Sequence, residues 1–134
     1  MAYSERRLVG YSREQMFDVV ANVGFQLINA SYASRVTHVR PAVVHSVCAD
    51  PEGGLFRVLD TTWRFSQSPG DSNQCRIHFD LSFQFRNSTH AKVTHLFFDK
   101  VVQKQVTAFL SRAHLVYGPP SRPPSAPQIL KYNS

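Results

Sequence analysis

From Cys75 to Phe85 the chain alternates without a break. Cys75, Ile77, Phe79, Leu81, Phe83 and Phe85 are apolar, and Arg76, His78, Asp80, Ser82 and Gln84 between them are polar. A period of two sustained this long predicts an antiparallel strand with one buried face and one wet face. In the preceding run, Leu55 to Phe65, the residues Leu59, Thr61, Trp63 and Phe65 share one parity, which predicts a second strand. Shorter runs at Tyr3 to Val9, Gly24 to Ile28, Tyr32 to Val39 and Ala42 to Cys48 also read as strands. They are separated by turn formers: Gly10, the Pro41 that interrupts any continuing ladder, Asp50 to Gly54, and a Ser/Pro/Gly/Asp/Asn loop expected over Ser66 to Asn73.

Two stretches switch to helical spacing. Met16, Phe17, Val20 and Val23 recur on one face, and Ser12 followed by Gln15 forms a capping box, so a helix is predicted over Arg13 to Asn22. A longer helix is predicted from a cap at Asn87 or Ser88 to about Val116, closed by Gly118-Pro119-Pro120. On it Phe98, Val101, Val102, Val106, Phe109 and Ala113 share one face, opposite Lys100, Gln103, Lys104, Thr107 and Ser111. Val93, Leu96 and Phe97 put apolar groups on the side that later becomes polar, and contact with a loop is expected there. The tail from Pro119 to Ser134 is rich in Pro and Ser and is expected to be extended or disordered.

The predicted order is strand, helix, antiparallel meander, long helix. It describes an α+β domain over residues 1–118 in which a curved antiparallel sheet packs on the long C-terminal helix, followed by a tail over 119–134. A cavity is expected wherever helix and sheet do not quite meet.

Composition narrows the picture. The 134 residues suit one domain, and 43% hydrophobic against 18% charged residues can build a core. No apolar run approaches the roughly 20 residues of a membrane-spanning helix. Fifteen Lys and Arg against nine Asp and Glu give +6, a balance that favours approach to anionic surfaces. No dense basic cluster marks a groove that would track phosphates, so no nucleic-acid partner is expected. Cys48 and Cys75 lack metal-ligand or redox spacing and read as small buried residues. Met1 to Arg7 shows neither a secretory apolar core nor an amphipathic presequence, so a processed or truncated form, or another route, is expected.

Enzyme motifs are mostly missing: no G-x-S-x-G, H-E-x-x-H, P-loop or Gly-rich dinucleotide turn occurs. His90 and His95 are five apart, wrong for one helical metal face. His78 and Asp80 share the polar side of their strand with no nucleophile evident beside them, and Asp60 with Asp80 reads as a solvated face. No catalytic residue, metal or covalent cofactor is therefore assigned. What remains is apolar: Trp63, Phe65, Phe79, Leu81, Phe83, Phe98, Val102 and Phe109 are the candidate ligand-binding set, and in a filled domain the same residues are core.

Read in order, several segments resemble the coenzyme Q-binding proteins of the START-like, or polyketide cyclase, superfamily. Tyr3 to Arg7, Gly10-Tyr11-Ser12, Gln15-Met16 and Val19 to Val23 resemble the family's opening strand and helix. Val47 to Asp50, Leu55-Phe56 and Thr62 to Ser66 resemble its central strands, and Phe79 to Arg86 its last strand. Leu96 to Val102, Val106 to Phe109 and Tyr117-Gly118-Pro119 resemble its long helix and the exit from it. One departure stands out. Val23 runs straight into Gly24-Phe25, where the family has a second helix and the first strands of its meander.

The resemblance implies a helix-grip fold, incomplete at one edge. It implies ubiquinone, or a related polyprenyl lipid, as the bound ligand of a non-enzymatic carrier or chaperone. Such a protein would support respiration and quinone biosynthesis as a peripheral protein on the matrix side of the inner mitochondrial membrane, with respiratory-chain or quinone-biosynthesis proteins as possible partners. Lys100 and Lys104 would favour docking on anionic lipid. The missing segment implies an exposed sheet edge, one open cavity wall and weaker lipid retention than in an intact relative. Two alternatives stand beside it: a cyclase or dehydratase using His78 and Asp80, and a basic module associated with ribosomes or RNA.

Overall fold

The computed structural model describes residues 2–23, 33–49, 56–85, 106–123 and 125–133. They form β1 (Ala2–Val9), α1 (Arg13–Val23), β2 (Ala33–Val39), β3 (Val43–Ala49), β4 (Phe56–Ser68), β5 (Asp71–Phe85) and β6 (Gln128–Asn133). Between β5 and β6, residues 106–117 are α-helical and are called α2. The fold is α+β: the described residues form one six-stranded antiparallel sheet in the order β2-β3-β4-β5-β1-β6, with two helices against it. The strand expected at Gly24 to Ile28 and the first turns of the long helix lie outside the described residues.

Register follows the hydrophobic pattern. Trp63 pairs with Phe79, Thr61 with Leu81 and Phe65 with Ile77, so the apolar parities of β4 and β5 meet on the same face. Across β1 the same face carries Tyr3, Glu5, Arg7 and Val9, opposite Leu81, Phe79, Ile77 and Cys75. On this inner face Met16, Phe17, Val19 and Val20 of α1 and Val106, Phe109 and Ala113 of α2 complete one buried cluster. Phe109 meets the Trp63 ring edge-on at 4.7 Å, and Phe17 meets Phe65 edge-on at 6.2 Å. Both are geometries aromatic quadrupoles favour.

The capping box at α1 closes both ways: the Gln15 amide donates to Ser12 Oγ at 3.1 Å, and the Ser12 amide donates to Gln15 Oε1 at 3.0 Å. At the far end of α2, Gly118 takes φ +84° and its amide donates to the His114 carbonyl at 2.9 Å. A left-handed residue of this kind ends a helix, and glycine adopts it without a Cβ penalty.

Two expectations change. The loop expected over Ser66 to Asn73 is a tight hairpin: β4 runs on to Ser68 and β5 starts at Asp71, with Gly70 at φ +77° in the turn. Turn-forming composition marks the reversal correctly but hides how few residues it needs.

The second change concerns the tail. Gln128–Asn133 forms β6 and pairs antiparallel with β1, matching Ala2 with Asn133 and Tyr3 with Tyr132, with a register shift between Ser4 and Glu5. The edge of β1 is thus covered by the chain's own C-terminal strand. Along the way to β6 the tail is stitched down. The Ser121 amide donates to the Gly10 carbonyl at 2.8 Å, Ser125 Oγ to the Leu8 carbonyl at 2.8 Å, and the Tyr11 hydroxyl to the Gly118 carbonyl at 2.8 Å. Gly10 is needed here. A Cβ at this position would stand 2.7 Å from the Arg122 amide nitrogen and 2.8 Å from that of Ser121, both backbone atoms.

Candidate functional site

The outer face of the sheet is wet and paired with itself. His45 Nε2 lies 2.9 Å from Asp60, the Arg64 guanidinium donates to Asp80 at 3.1 Å, and His78 Nε2 lies 3.0 Å from Ser4 Oγ and 3.5 Å from Asp80. His78 and Asp80 therefore sit where strand parity expects, away from the inner face, and Asp60 and Asp80 each have a separate partner, His45 for the one and Arg64 for the other. Thr62, not Asp60, stands opposite Asp80. Among the described residues no cluster of three or more His, Cys, Asp or Glu offers a metal site.

On the inner face, five of the eight candidate ligand-binding residues come together. Trp63, Phe65, Phe79, Leu81 and Phe109 are all buried, and the Trp63 and Phe79 rings lie 4.3 Å apart at an angle of 31°. These side chains fill the space between sheet and helix. Phe83 belongs to β5, but its side chain, and Phe98 and Val102 altogether, lie outside the described residues. The thiol of Cys75 is enclosed in the same core, and burial pushes it up to about 12.

Open space lies beside this core. A groove of about 470 Å³ runs between α2 and β1, walled by Leu8, Val9 and Tyr11 on one side and by Thr107, Leu110, Ser111 and His114 on the other. Pro120, Arg122 and Ser125 of the tail and Arg7 of β1 also line it. Its size suits a ring with part of an apolar tail rather than a whole long-chain lipid. The described lining shares no residue with the predicted set. The sequence signal that could have found it is the helix position Leu110, one place beyond the core residue Phe109.

Polar groups on the inner face of β1 were also missed. Glu5 is 1% exposed, and both Nε and Nη2 of Arg7 donate to its Oε2, at 3.1 Å and 3.0 Å. Tyr3 hydrogen-bonds the same carboxylate, and burial first, then the Glu5 charge, raises its hydroxyl to about 12. A buried carboxylate needs such partners. The clue in the sequence is that Tyr3, Glu5, Arg7 and Val9 share one parity, so two charges had to face inward.

A protein-family model described as polyketide cyclase / dehydrase and lipid transport matches residues 21–110. Among curated proteins, the chain is 32% identical over 146 positions to a mitochondrial coenzyme Q-binding protein, COQ10 homolog B, of Xenopus laevis. That match covers 87% of this chain and 59% of the relative. The mitochondrial coenzyme Q-binding protein COQ10 of Drosophila melanogaster is also 32% identical, over 89% of this chain and 61% of its own length. The chain thus spans about three fifths of these relatives. The aligned stretch in Xenopus, 146 positions, exceeds the 134 residues of the whole chain, so the relative holds residues with no counterpart here.

Among solved structures, a START superfamily protein from Mycobacterium smegmatis superposes with a TM-score of 0.64 at 10% identity, over 86% of this chain and 98% of that one. The Zhui aromatase/cyclase from a Streptomyces species gives 0.52 at 12% identity, over 85% and 93%. These two likenesses establish the START-like fold. With the sheet, the helices and the family match together, the chain belongs to the polyketide cyclase / dehydrase and lipid transport family.

Proposed function

We propose that this chain binds coenzyme Q, or a related polyprenyl lipid, and serves as a carrier or chaperone rather than a catalyst. The observation that carries the reading is the groove of about 470 Å³ between α2 and β1, which is lined largely by apolar surface and open at one side. Its opening suits an elongated ligand, because the bound part is buried while the rest stays in a membrane. Each buried CH₂ of a tail contributes about 0.8 kcal/mol, so a few isoprene units supply useful affinity without a covalent link. Trp63, Phe65, Phe79, Leu81 and Phe109 do not line the groove but form the packed core beside it, and Phe83, Phe98 and Val102 are proposed to contact the bound tail.

The similarity to mitochondrial coenzyme Q-binding proteins supports ubiquinone as the ligand and the mitochondrion as the compartment. Peripheral contact with the matrix side of the inner membrane, in support of respiration and quinone biosynthesis, belongs to the same reading. Among the described residues no helix is long and apolar enough to cross a membrane.

Mass spectrometry of lipid extracted from the purified, folded chain tests the proposal. Prenylated quinone is the expected principal species, while phospholipid alone, or no lipid at all, would overturn it. A cyclase or dehydratase would need its acid and base in the groove, whereas His78 and Asp80 stand on the opposite face of the sheet, bonded to Ser4 and Arg64.

A further inference from the structure

We propose that Arg7, held by Glu5, is a polar anchor in this groove that selects a neutral, oxygen-bearing head group over an anionic one. This inference rests on the lipid-binding reading and adds to it what kind of head the ligand carries. Arg7 is the charged residue that β1 contributes to the groove lining, and its side chain is 16% exposed. A guanidinium has five N–H donors in a planar fork. Among the described residues Arg7 uses Nε and Nη2, both toward one oxygen of Glu5, which fixes the plane of the fork. The Nη1 edge is not engaged by Glu5, and it is the edge assigned to the ligand.

Glu5 sets what that ligand can be. The carboxylate is buried beside Arg7 and cancels its charge, and the Tyr3 hydroxyl holds it in place. A second carboxylate or a phosphate brought to Arg7 would meet the Glu5 charge a few ångströms away in a poorly screened setting. A neutral acceptor, such as a ring carbonyl or ether oxygen, takes the hydrogen bonds without that repulsion. The groove's apolar walls then receive the tail. The class of ligand is therefore a prenylated ring with neutral oxygens, in preference to a lipid acid.

Trp63 provides the readout. It is the single tryptophan of the chain and lies on the inner face, separated from Glu5 by Phe79. Quenching of its fluorescence by a ubiquinone bearing two isoprene units gives the quinone affinity. Competition of that signal by palmitate gives the affinity for a lipid acid. Two variants probe the pair: Glu5→Gln, which leaves Arg7 charged and uncancelled, and the double variant Glu5→Gln with Arg7→Met, which removes the fork without stranding a buried carboxylate.

The wild type is expected to favour the quinone at least about 10-fold. Glu5→Gln is expected to strengthen palmitate about 10-fold relative to quinone. The double variant is expected to lose about 10-fold or more in quinone affinity with no gain for palmitate, the size expected for hydrogen bonds from a charged donor. Should the double variant fail to fold, the preference of Glu5→Gln decides alone. Quinone and palmitate affinities that stay within about twofold of wild type in the folded variants overturn the anchor and leave lipid binding standing. A wild-type chain that binds neither ligand overturns both.

Discussion

The aromatic cluster depends on close contact between a few rings. Trp63, Phe79 and Phe109 are each no more than 2% exposed, and Trp63 touches both of the others. Truncating such a residue removes its transfer energy and leaves a cavity, so Phe79→Ala is expected to lower stability by about 3–5 kcal/mol. Urea unfolding measures this, and a loss under about 1 kcal/mol would show that the cluster is looser than its geometry.

Two buried acids add a pH dependence. Cys75 rises from 9.0 and Tyr3 from 10.0, each to about 12. Both are neutral when protonated, so the unfolded chain releases these protons at lower pH than the folded one. Stability is therefore full below about pH 9 and falls as pH rises through 12. Thermal melts across that range are expected to show the decline, and Cys75→Ala should shift its onset upward.

At the scale of elements, β6 is the feature with the largest structural consequence. Without it β1 would present a full row of unpaired backbone groups, the usual template for strand addition by another chain. Truncation after Ala126 is expected to lower the melting temperature and to yield dimers or larger species on size-exclusion chromatography. An unchanged monomer with an unchanged melt would show that the β1 edge needs no cover. Gly10→Ala tests the stitching, since its Cβ would collide with the backbone at Ser121 and Arg122. Faster proteolysis of the tail is the expected result.

How much of this was legible depends on where each signal sits. The pairing of β4 with β5 could be read from the chain because Leu59 to Phe65 and Cys75 to Leu81 both keep a strict period of two, and both parities end up buried. Ser12 and Gln15 announced the start of α1 in the same local way. β6 was not legible. Gln128–Asn133 is a short segment after a Pro-rich stretch, and it becomes a strand only because β1, more than a hundred residues earlier, has an open edge. The inward charges of Glu5 and Arg7 were hidden for a related reason. Each looks like an ordinary polar strand position until the parity of Tyr3 and Val9 is fixed by the core.

For the molecule as a whole, the Arg7–Glu5 pair, α2 and the tail meet at the groove, beside the packed aromatic core. The aromatic residues pack between the sheet and α2, and the open space lies between α2 and β1. A net charge of +6 is the basis for the proposed long-range attraction to anionic bilayers. Sedimentation with vesicles containing cardiolipin is expected to fall steeply between low and physiological salt, and to be weak with neutral lipid throughout. Equal binding to both vesicle types would remove the electrostatic part of the account.

Filling the groove from its own wall tests the central claim most directly. Thr107 is exposed and lines the groove from α2, so Thr107→Trp obstructs the space without touching the buried face of the helix. Wild-type and variant chains are incubated with ubiquinone and purified, and the quinone retained per chain is quantified by mass spectrometry. Near one quinone per wild-type chain, with a drop of about tenfold in an equally stable variant, is the predicted result. Equal retention by both chains would mean that the lipid binds elsewhere, and the groove would lose its assigned role.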